Sequence, residues 1–147
     1  MAAPAPAPPP VTPMVVLASA KLNVHALVPK VYEALLNADA LKAWWSSEAY
    51  VEAALDGRYE TNPPEGKQEG VITSLDAPRK VAFTWDLPLE TGVLETSVTY
   101  ELTPRGAETI VHVTHRAREL HAHDWGATWQ RALGNLKAYL EGGGATA

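Results

Sequence analysis

The sequence predicts an α+β domain: an antiparallel sheet of about six to seven strands with a long C-terminal helix covering its apolar face and two short helices after the first strand. Three observations predict it. Apolar residues recur at helical spacing over residues 125–140 and, in shorter runs, over 29–45. Between residues 48 and 116, segments of alternating apolar and polar residues are separated by turn sequences. The length of 147 residues suits one domain, since domains of about 100 to 150 residues are the commonest.

The first strand and the helix pair come before the other strands. Apolar and polar residues alternate within residues 15–26, which is typical of a half-buried strand. Pro29 suits the first turn of a helix, because its missing N–H costs nothing there. The helix is expected to break near Asn37. A second helix is expected to begin at Asp39, whose carboxylate would cap residues 40–45.

Turn sequences divide the middle of the chain into short strands. Glycine, proline, asparagine and aspartate are concentrated between these segments, and each favours a turn for its own conformational reason. The predicted strands are residues 48–54, 58–62, 67–75, 80–87, 95–103 and 107–116. Residues 104–106 form the clearest hairpin turn, whereas residues 88–92 are expected to be a looser connection.

The last predicted element is an amphipathic helix of about four to five turns. Its apolar positions are spaced by four, four, three and four: Trp125, Trp129, Leu133, Leu136 and Leu140. This spacing places them on one face of a helix. Asp124 is predicted to cap its first turn, and the glycines at 142–144 are predicted to end it.

The domain itself is predicted over residues 15–142. Six of the twelve prolines lie within residues 1–13, which carry no charge and no periodic pattern. Because proline removes backbone donors and fixes φ, residues 1–14 are expected to be a disordered tail. Residues 143–147 are expected to be a short flexible tail.

Composition excludes several classes of protein. The formal net charge is −5 and the basic residues form no run, so nucleic acid is not an expected partner. The chain has no cysteine, which excludes a disulfide scaffold, a thiol catalyst and cysteine-ligated metal. It has no signal-peptide pattern and no apolar run of the roughly 18 to 20 residues that span a bilayer. We therefore expect a cytoplasmic protein that has no membrane partner.

Several local strings carry a family resemblance. They cover about residues 15–142 in the same order and spacing: VYEAL at 31–35, LKAWW at 41–45, PRKVAFTW at 78–85, SVTYELTP at 97–104, VTH at 113–115 and WQRALGNLKAYLE at 129–141. In these strings the chain resembles the START-like (SRPBCC) superfamily, and within it the family named for the activator of the heat-shock-protein-90 ATPase. The proline-rich tail is not part of the pattern, and residues 46–70 match only loosely.

The resemblance implies a helix-grip fold, in which a curved sheet grips the C-terminal helix. It also implies a cavity between sheet and helix that often accepts apolar small molecules. One fold hosts many functions, so the resemblance says little about chemistry. No cofactor is expected.

Seven residues are predicted to line this cavity because they lie on inward faces: Trp44, Trp45, Trp85, Tyr100, His115, Trp125 and Trp129. Adjacent helical residues diverge by about 100°, so the first two are not expected to fill the same place. The chain has five tryptophans and five tyrosines but one phenylalanine. An ordinary core needs only Phe and Leu, whereas buried Trp and Tyr require hydrogen-bond partners. This excess favours a pocket over a plain core.

The chain shows no established catalytic or metal motif. Asp86 and Glu101 are placed on the outward face, so no acid/base pair of carboxylates is expected. His121 and His123 are two residues apart at a helix start and point away from each other, so no metal site is expected. His115 and Tyr100 are the candidate catalytic pair.

We therefore expect a binding domain for a small, largely apolar ligand rather than an enzyme. The first alternative is a cyclase-, dehydratase- or hydrolase-type enzyme of the same fold that uses His115 and Tyr100. The second is a protein-binding module like the family's namesake, an activator of a chaperone ATPase. The chain leaves no room for a separate chaperone-binding domain, which disfavours the second alternative. The ligand's identity and the oligomeric state stay open.

Overall fold

The computed structural model describes residues 15–63, 67–89, 92–119 and 123–141. Its elements in chain order are β1 (Val15–Val24), α1 (Val28–Leu36), α2 (Ala38–Trp44), β2 (Ala49–Val51), β3 (Arg58–Thr61), β4 (Gln68–Asp76), β5 (Lys80–Leu89), β6 (Gly92–Arg105), β7 (Glu108–Ala117) and α3 (Trp125–Glu141). This order confirms the predicted α+β class. The tails expected at 1–14 and 143–147 lie outside the described residues.

The sheet is antiparallel and curved, with seven strands in the order β1-β7-β6-β5-β4-β3-β2. Each strand from β2 to β6 pairs with the next one along the chain, and β1 forms the far edge by pairing with β7. In the central hairpin of β6 and β7, Tyr100 pairs with Val113 and Val98 pairs with His115. This register brings inward residues of distant segments together.

The long helix α3 covers one face of the sheet. It packs along β1 and β7 and against α2, while α1 packs on β6 and β7. Its buried side chains are Trp125, Thr128, Trp129, Ala132, Leu133 and Leu136. The core therefore lies between α3 and the inward face of the sheet, as the helical spacing predicts.

Helix capping is partly as expected. Asp124 accepts a hydrogen bond from the Ala127 N–H through Oδ1 at 3.1 Å, so the prediction for the start of α3 is confirmed. The predicted cap of α2 is wrong: Asn37, not Asp39, accepts from Ala40 N–H at 3.0 Å. Asn37 has extended backbone angles and can turn its amide oxygen onto the first turn, whereas Asp39 already lies inside the helix.

Strand boundaries differ at two places. The predicted strand 48–54 is reduced to β2, because the chain leaves the sheet after Val51 and turns through Asp56, which has φ 63°. The expected loose connection over 88–92 is also wrong, since the β5 and β6 ladder continues to a pair between Leu89 and Gly92. Among the described residues, no helix is long and apolar enough to span a bilayer.

Candidate functional site

Six of the seven predicted site residues form one contiguous group of buried rings. We call it the ring cluster, and its members are Trp45, Trp85, Tyr100, His115, Trp125 and Trp129. They come from the end of α2, from β5, β6 and β7, and from α3. All six are at most 7 % exposed. Strand alternation and helical spacing therefore bring these residues to one place, although three strands, β2 to β4, separate α2 from the other four elements along the chain.

Trp129 lies at the centre of the ring cluster. Its indole stacks on Trp45 with centroids 5.3 Å apart and planes 9° apart. Trp85, Tyr100 and His115 meet it edge to face at 6.1, 6.1 and 5.5 Å. Such geometries are the favoured ones for aromatic pairs, so the rings are well packed against one another.

Trp85 and His115 form a second stack within the cluster. Their ring centroids are 5.7 Å apart and their planes differ by 13°. Trp125 closes this side, meeting Trp85 at 5.1 Å and His115 at 4.7 Å, both edge to face. The imidazole is therefore enclosed by indole rings rather than by water.

A directed chain of hydrogen bonds holds His115. Trp129 Nε1–H donates to Nδ1 of His115 at 3.1 Å, and because an indole can only donate, Nδ1 must accept. The imidazole proton is therefore on Nε2, which lies 2.8 Å from Thr96 Oγ1. Thr96 in turn donates to the backbone oxygen of Trp85 at 2.6 Å. This series of hydrogen bonds requires a neutral His115 and links α3, β7, β6 and β5.

Thr96 was not among the predicted site residues, although a signal existed. The inward alternation of Val98, Tyr100 and Leu102 extends back to Thr96, which is fully buried. A threonine on an inward face next to a buried histidine is a hydrogen-bond candidate. The missing information was the register of β6 on β7.

A second buried network fixes Trp45. Its Nε1–H donates to Thr61 Oγ1 at 2.9 Å, and Thr61 donates to Gln68 Oε1 at 3.0 Å. The Gln68 amide then donates to the backbone oxygens of Tyr59 and Thr84 at 2.8 and 3.0 Å. Gln68 is fully buried and crosses from β4 to both neighbouring strands. Sequence reasoning missed it because residues 46–70 carry little pattern.

Trp44, the seventh predicted residue, points elsewhere. It is also buried, but its Nε1–H donates to the backbone oxygen of Ala34 in α1 at 3.0 Å. Its ring meets the cluster only at Trp45, with centroids 6.0 Å apart. The two adjacent tryptophans thus occupy different places, one beneath α1 and one against α3.

Tyr100 belongs to the far side of the cluster, where it continues into the rings of Phe83 and Tyr59. Burial raises the pKa of the Tyr100 phenol. Burial and then the neighbouring Tyr100 raise the pKa of Tyr59 well above its usual value. Both phenols therefore stay protonated at neutral pH. With both nitrogens of His115 engaged, the geometry favours a structural role for these groups over acid/base catalysis.

The indole N–H of Trp85 differs from those of Trp44, Trp45 and Trp129, which each donate a hydrogen bond. The Trp85 side chain is 1 % exposed, and its Nε1–H meets no hydrogen-bond acceptor among the described residues. A buried donor without an acceptor costs about 1–3 kcal/mol relative to a paired one. The ring cluster therefore contains one unused hydrogen-bond donor.

A surface groove reaches the ring cluster from outside. The Trp45 groove, lined by residues 42–47, Asn62 and Pro63, has a volume of about 590 Å³. Trp45 lines this groove and also stacks on Trp129. It is therefore the wall between the groove and the buried rings. Within the described ranges, no group of three or more His, Asp or Glu side chains is arranged to hold a metal ion.

One family profile matches most of the chain. The profile of the family described as "Activator of Hsp90 ATPase homolog 1-like protein" matches residues 25–141. No curated protein sequence matches the chain.

Solved structures have the same fold. The Aha1 dimer from Colwellia psychrerythraea is 23 % identical with a TM-score of 0.74, over 88 % of this chain and 98 % of that one. MLL2253 from Mesorhizobium loti is 16 % identical with a TM-score of 0.69, over 84 % and 96 %. CalU16 from Micromonospora echinospora is 19 % identical with a TM-score of 0.68, over 84 % and 73 %. The chain therefore belongs to the family of Activator of Hsp90 ATPase homolog 1-like proteins and has their helix-grip fold.

Proposed function

We propose that this protein binds a small, largely apolar molecule in the ring cluster, between the sheet and α3, and that the molecule enters from the Trp45 groove. One observation carries the proposal: Trp45 belongs both to the groove and to the buried rings. A ligand that displaces or slides past this one side chain would meet Trp129 and Trp85. Ligand sites in proteins are commonly apolar and aromatic with few polar groups, which is the composition of this cluster.

The way in which the Trp45 side chain is held supports entry of the ligand at this point. Trp45 follows the last helical residue of α2, and its side chain is held by one hydrogen bond, to Thr61 Oγ1. By contrast, Trp129 sits inside α3 and is fixed by the hydrogen-bond chain through His115. A side chain at an element end moves at lower cost than one in the middle of a packed helix.

The five tryptophan indole N–H resonances test the proposal directly. The chain would be titrated with neutral apolar probes such as N-phenyl-1-naphthylamine, with resonances assigned by single Trp→Phe variants. We expect saturable shifts of the indole signals of Trp45, Trp85 and Trp129, because these rings line the proposed site. Trp44 lines the mouth of the groove but donates to Ala34 beneath α1, so its shift should be smaller than those of Trp85 and Trp129. Shifts absent throughout, or confined to the groove residues Trp44 and Trp45, would contradict the proposal.

The family description favours a second candidate, a chaperone-directed role. The matching profile is described as an activator of Hsp90 ATPase homologue, and the similar structure from Colwellia psychrerythraea is an Aha1 dimer. Adding the full chain to an Hsp90-type chaperone and measuring ATP hydrolysis separates the two. A concentration-dependent rise in hydrolysis favours this second role, whereas ligand binding without such a rise favours the first.

A further inference from the structure

We infer that the molecule bound in the ring cluster is uncharged and carries a hydrogen-bond acceptor, such as a carbonyl or ether oxygen, to which Trp85 donates. This inference rests on the proposed function and adds the ligand's chemical class. It starts from the Trp85 Nε1–H, which is buried without an acceptor in the part of the chain that the structure describes. The indole donors of Trp44, Trp45 and Trp129 each have a partner.

Water is a poor partner for this donor. A buried water needs about two to four polar groups around it. The faces around Trp85 are rings: His115 stacked on it, and Trp45, Trp125 and Trp129 edge-on at 5.1–6.1 Å. The polar side-chain atoms of His115 and Thr96 are already used, because these residues bond to each other and to their neighbours. An acceptor that arrives attached to an apolar molecule needs no such further partners.

The charge of the site limits the ligand further. Among the described residues the buried polar side chains are Ser, Thr, Gln and His, and none is Asp, Glu, Lys or Arg. A charged ligand placed among these rings would lose its hydration without gaining a counter-ion. His115 cannot supply a positive charge while its Nδ1 accepts from Trp129. The site therefore suits a neutral aromatic or aliphatic ketone, ester or ether.

A pair of nearly isosteric probes tests the inference. 2-Acetylnaphthalene has a carbonyl oxygen where 2-isopropenylnaphthalene has a methylene group. Dissociation constants for both would be measured on the full chain, on Trp85→Phe and on the control Tyr139→Phe. Tyr139 is a partly buried aromatic residue of α3 that lies outside the ring cluster. The ratio of the two constants is compared between proteins, which cancels the difference in water solubility of the probes.

The ratio of the two dissociation constants, hydrocarbon over ketone, measures the preference for the ketone. We expect this ratio to be about tenfold larger in the unmodified chain than in Trp85→Phe. The preference should persist in Tyr139→Phe. In the unmodified chain the Trp85 indole proton should shift downfield with the ketone and not with the hydrocarbon, a readout that does not require any variant to fold. If both probes bind with the same ratio in every protein, the donor role is overturned while the proposed function stands. If neither probe binds, the proposed function fails, and the inference with it.

Discussion

At the scale of single residues, hydrogen-bonding side chains decide how the rings of this core are oriented. His115 is fixed between Trp129 and Thr96, and its protonation pattern follows from the donor-only indole. Thr96 both accepts from His115 and donates to the Trp85 backbone. Removing such a hydroxyl should cost more stability than its size suggests, because the groups on both sides each lose a hydrogen bond.

Replacing Thr96 with valine tests how much these hydrogen bonds contribute to stability. The substitution keeps the shape but removes the hydroxyl that bonds to buried His115 Nε2 and to the Trp85 carbonyl. We expect the free energy of unfolding to fall by about 2–3 kcal/mol in denaturant titrations. Thr103→Val, at an exposed position of the same strand, is the matched control and should change it by no more than about 0.5 kcal/mol. Equal effects of the two substitutions would show that these hydrogen bonds do not contribute to stability.

At the scale of elements, close backbone approach matters as much as side-chain packing. Gly70 in β4 lies against Thr84 in β5, and a Cβ built at Gly70 would stand 1.9 Å from the Thr84 carbonyl oxygen. The Thr84 hydroxyl also accepts from Val71 N–H at 3.0 Å, and Gln68 donates to the Thr84 carbonyl. The β4 and β5 strands can pair in this way only while residue 70 has no side chain.

Two glycine-to-alanine substitutions should therefore have opposite effects. Gly70→Ala forces β4 away from β5 and should lower the free energy of unfolding by more than about 2 kcal/mol. Gly134→Ala lies within α3, where a new Cβ meets nothing within 4 Å, and should raise it by about 0.5–1 kcal/mol through helix propensity. Thermal and denaturant unfolding of both variants would check the signs. A loss at Gly134 or a gain at Gly70 contradicts this account.

At the scale of the whole molecule, the C-terminal helix is tied back to the first strand. The Glu141 carboxylate accepts from the backbone N–H of His25 at 2.8 Å and pairs with Lys137. Lys137 also donates to the Asn23 backbone oxygen at 3.4 Å. These contacts join segments more than 110 residues apart, so they connect the end of α3 to the end of β1.

The stability of this connection should depend on pH. The Lys137 side chain, and then the His25 N–H, lower the pKa of Glu141 below its usual 4.5. Since the folded state favours the ionised form, its stabilisation is present above about pH 4.5 and is lost as the pH falls through the lowered pKa. Glu141→Gln should therefore be less stable than the natural chain at pH 7, with the difference narrowing in acid. Denaturant titrations between pH 3 and 7 measure this. About 1 M NaCl should reduce the difference, because salt screens exposed charges.

Much of the architecture was predictable because it depends on local patterns. Alternation placed Trp85, Tyr100 and His115 on the inward face, and helical spacing placed Trp125 and Trp129 towards the sheet. The α2 cap was mispredicted because Asn37 and Asp39 are both good cap residues, and only the path of the backbone between the helices decides between them. The connection between β5 and β6 was mispredicted because Pro88 suggested a break that the hairpin tolerates.

The sequence by itself determined the element order, the faces that are buried and the set of rings that converge, because each follows from periodicity over a few residues. Only the tertiary structure decided which rings touch and which polar atoms pair. Trp44 and Trp45 differ in role because α1 lies beside one and α3 beside the other. Thr96 meets His115, and Trp85 is left with an unused donor, because strand register and helix packing bring together residues that no local pattern connects.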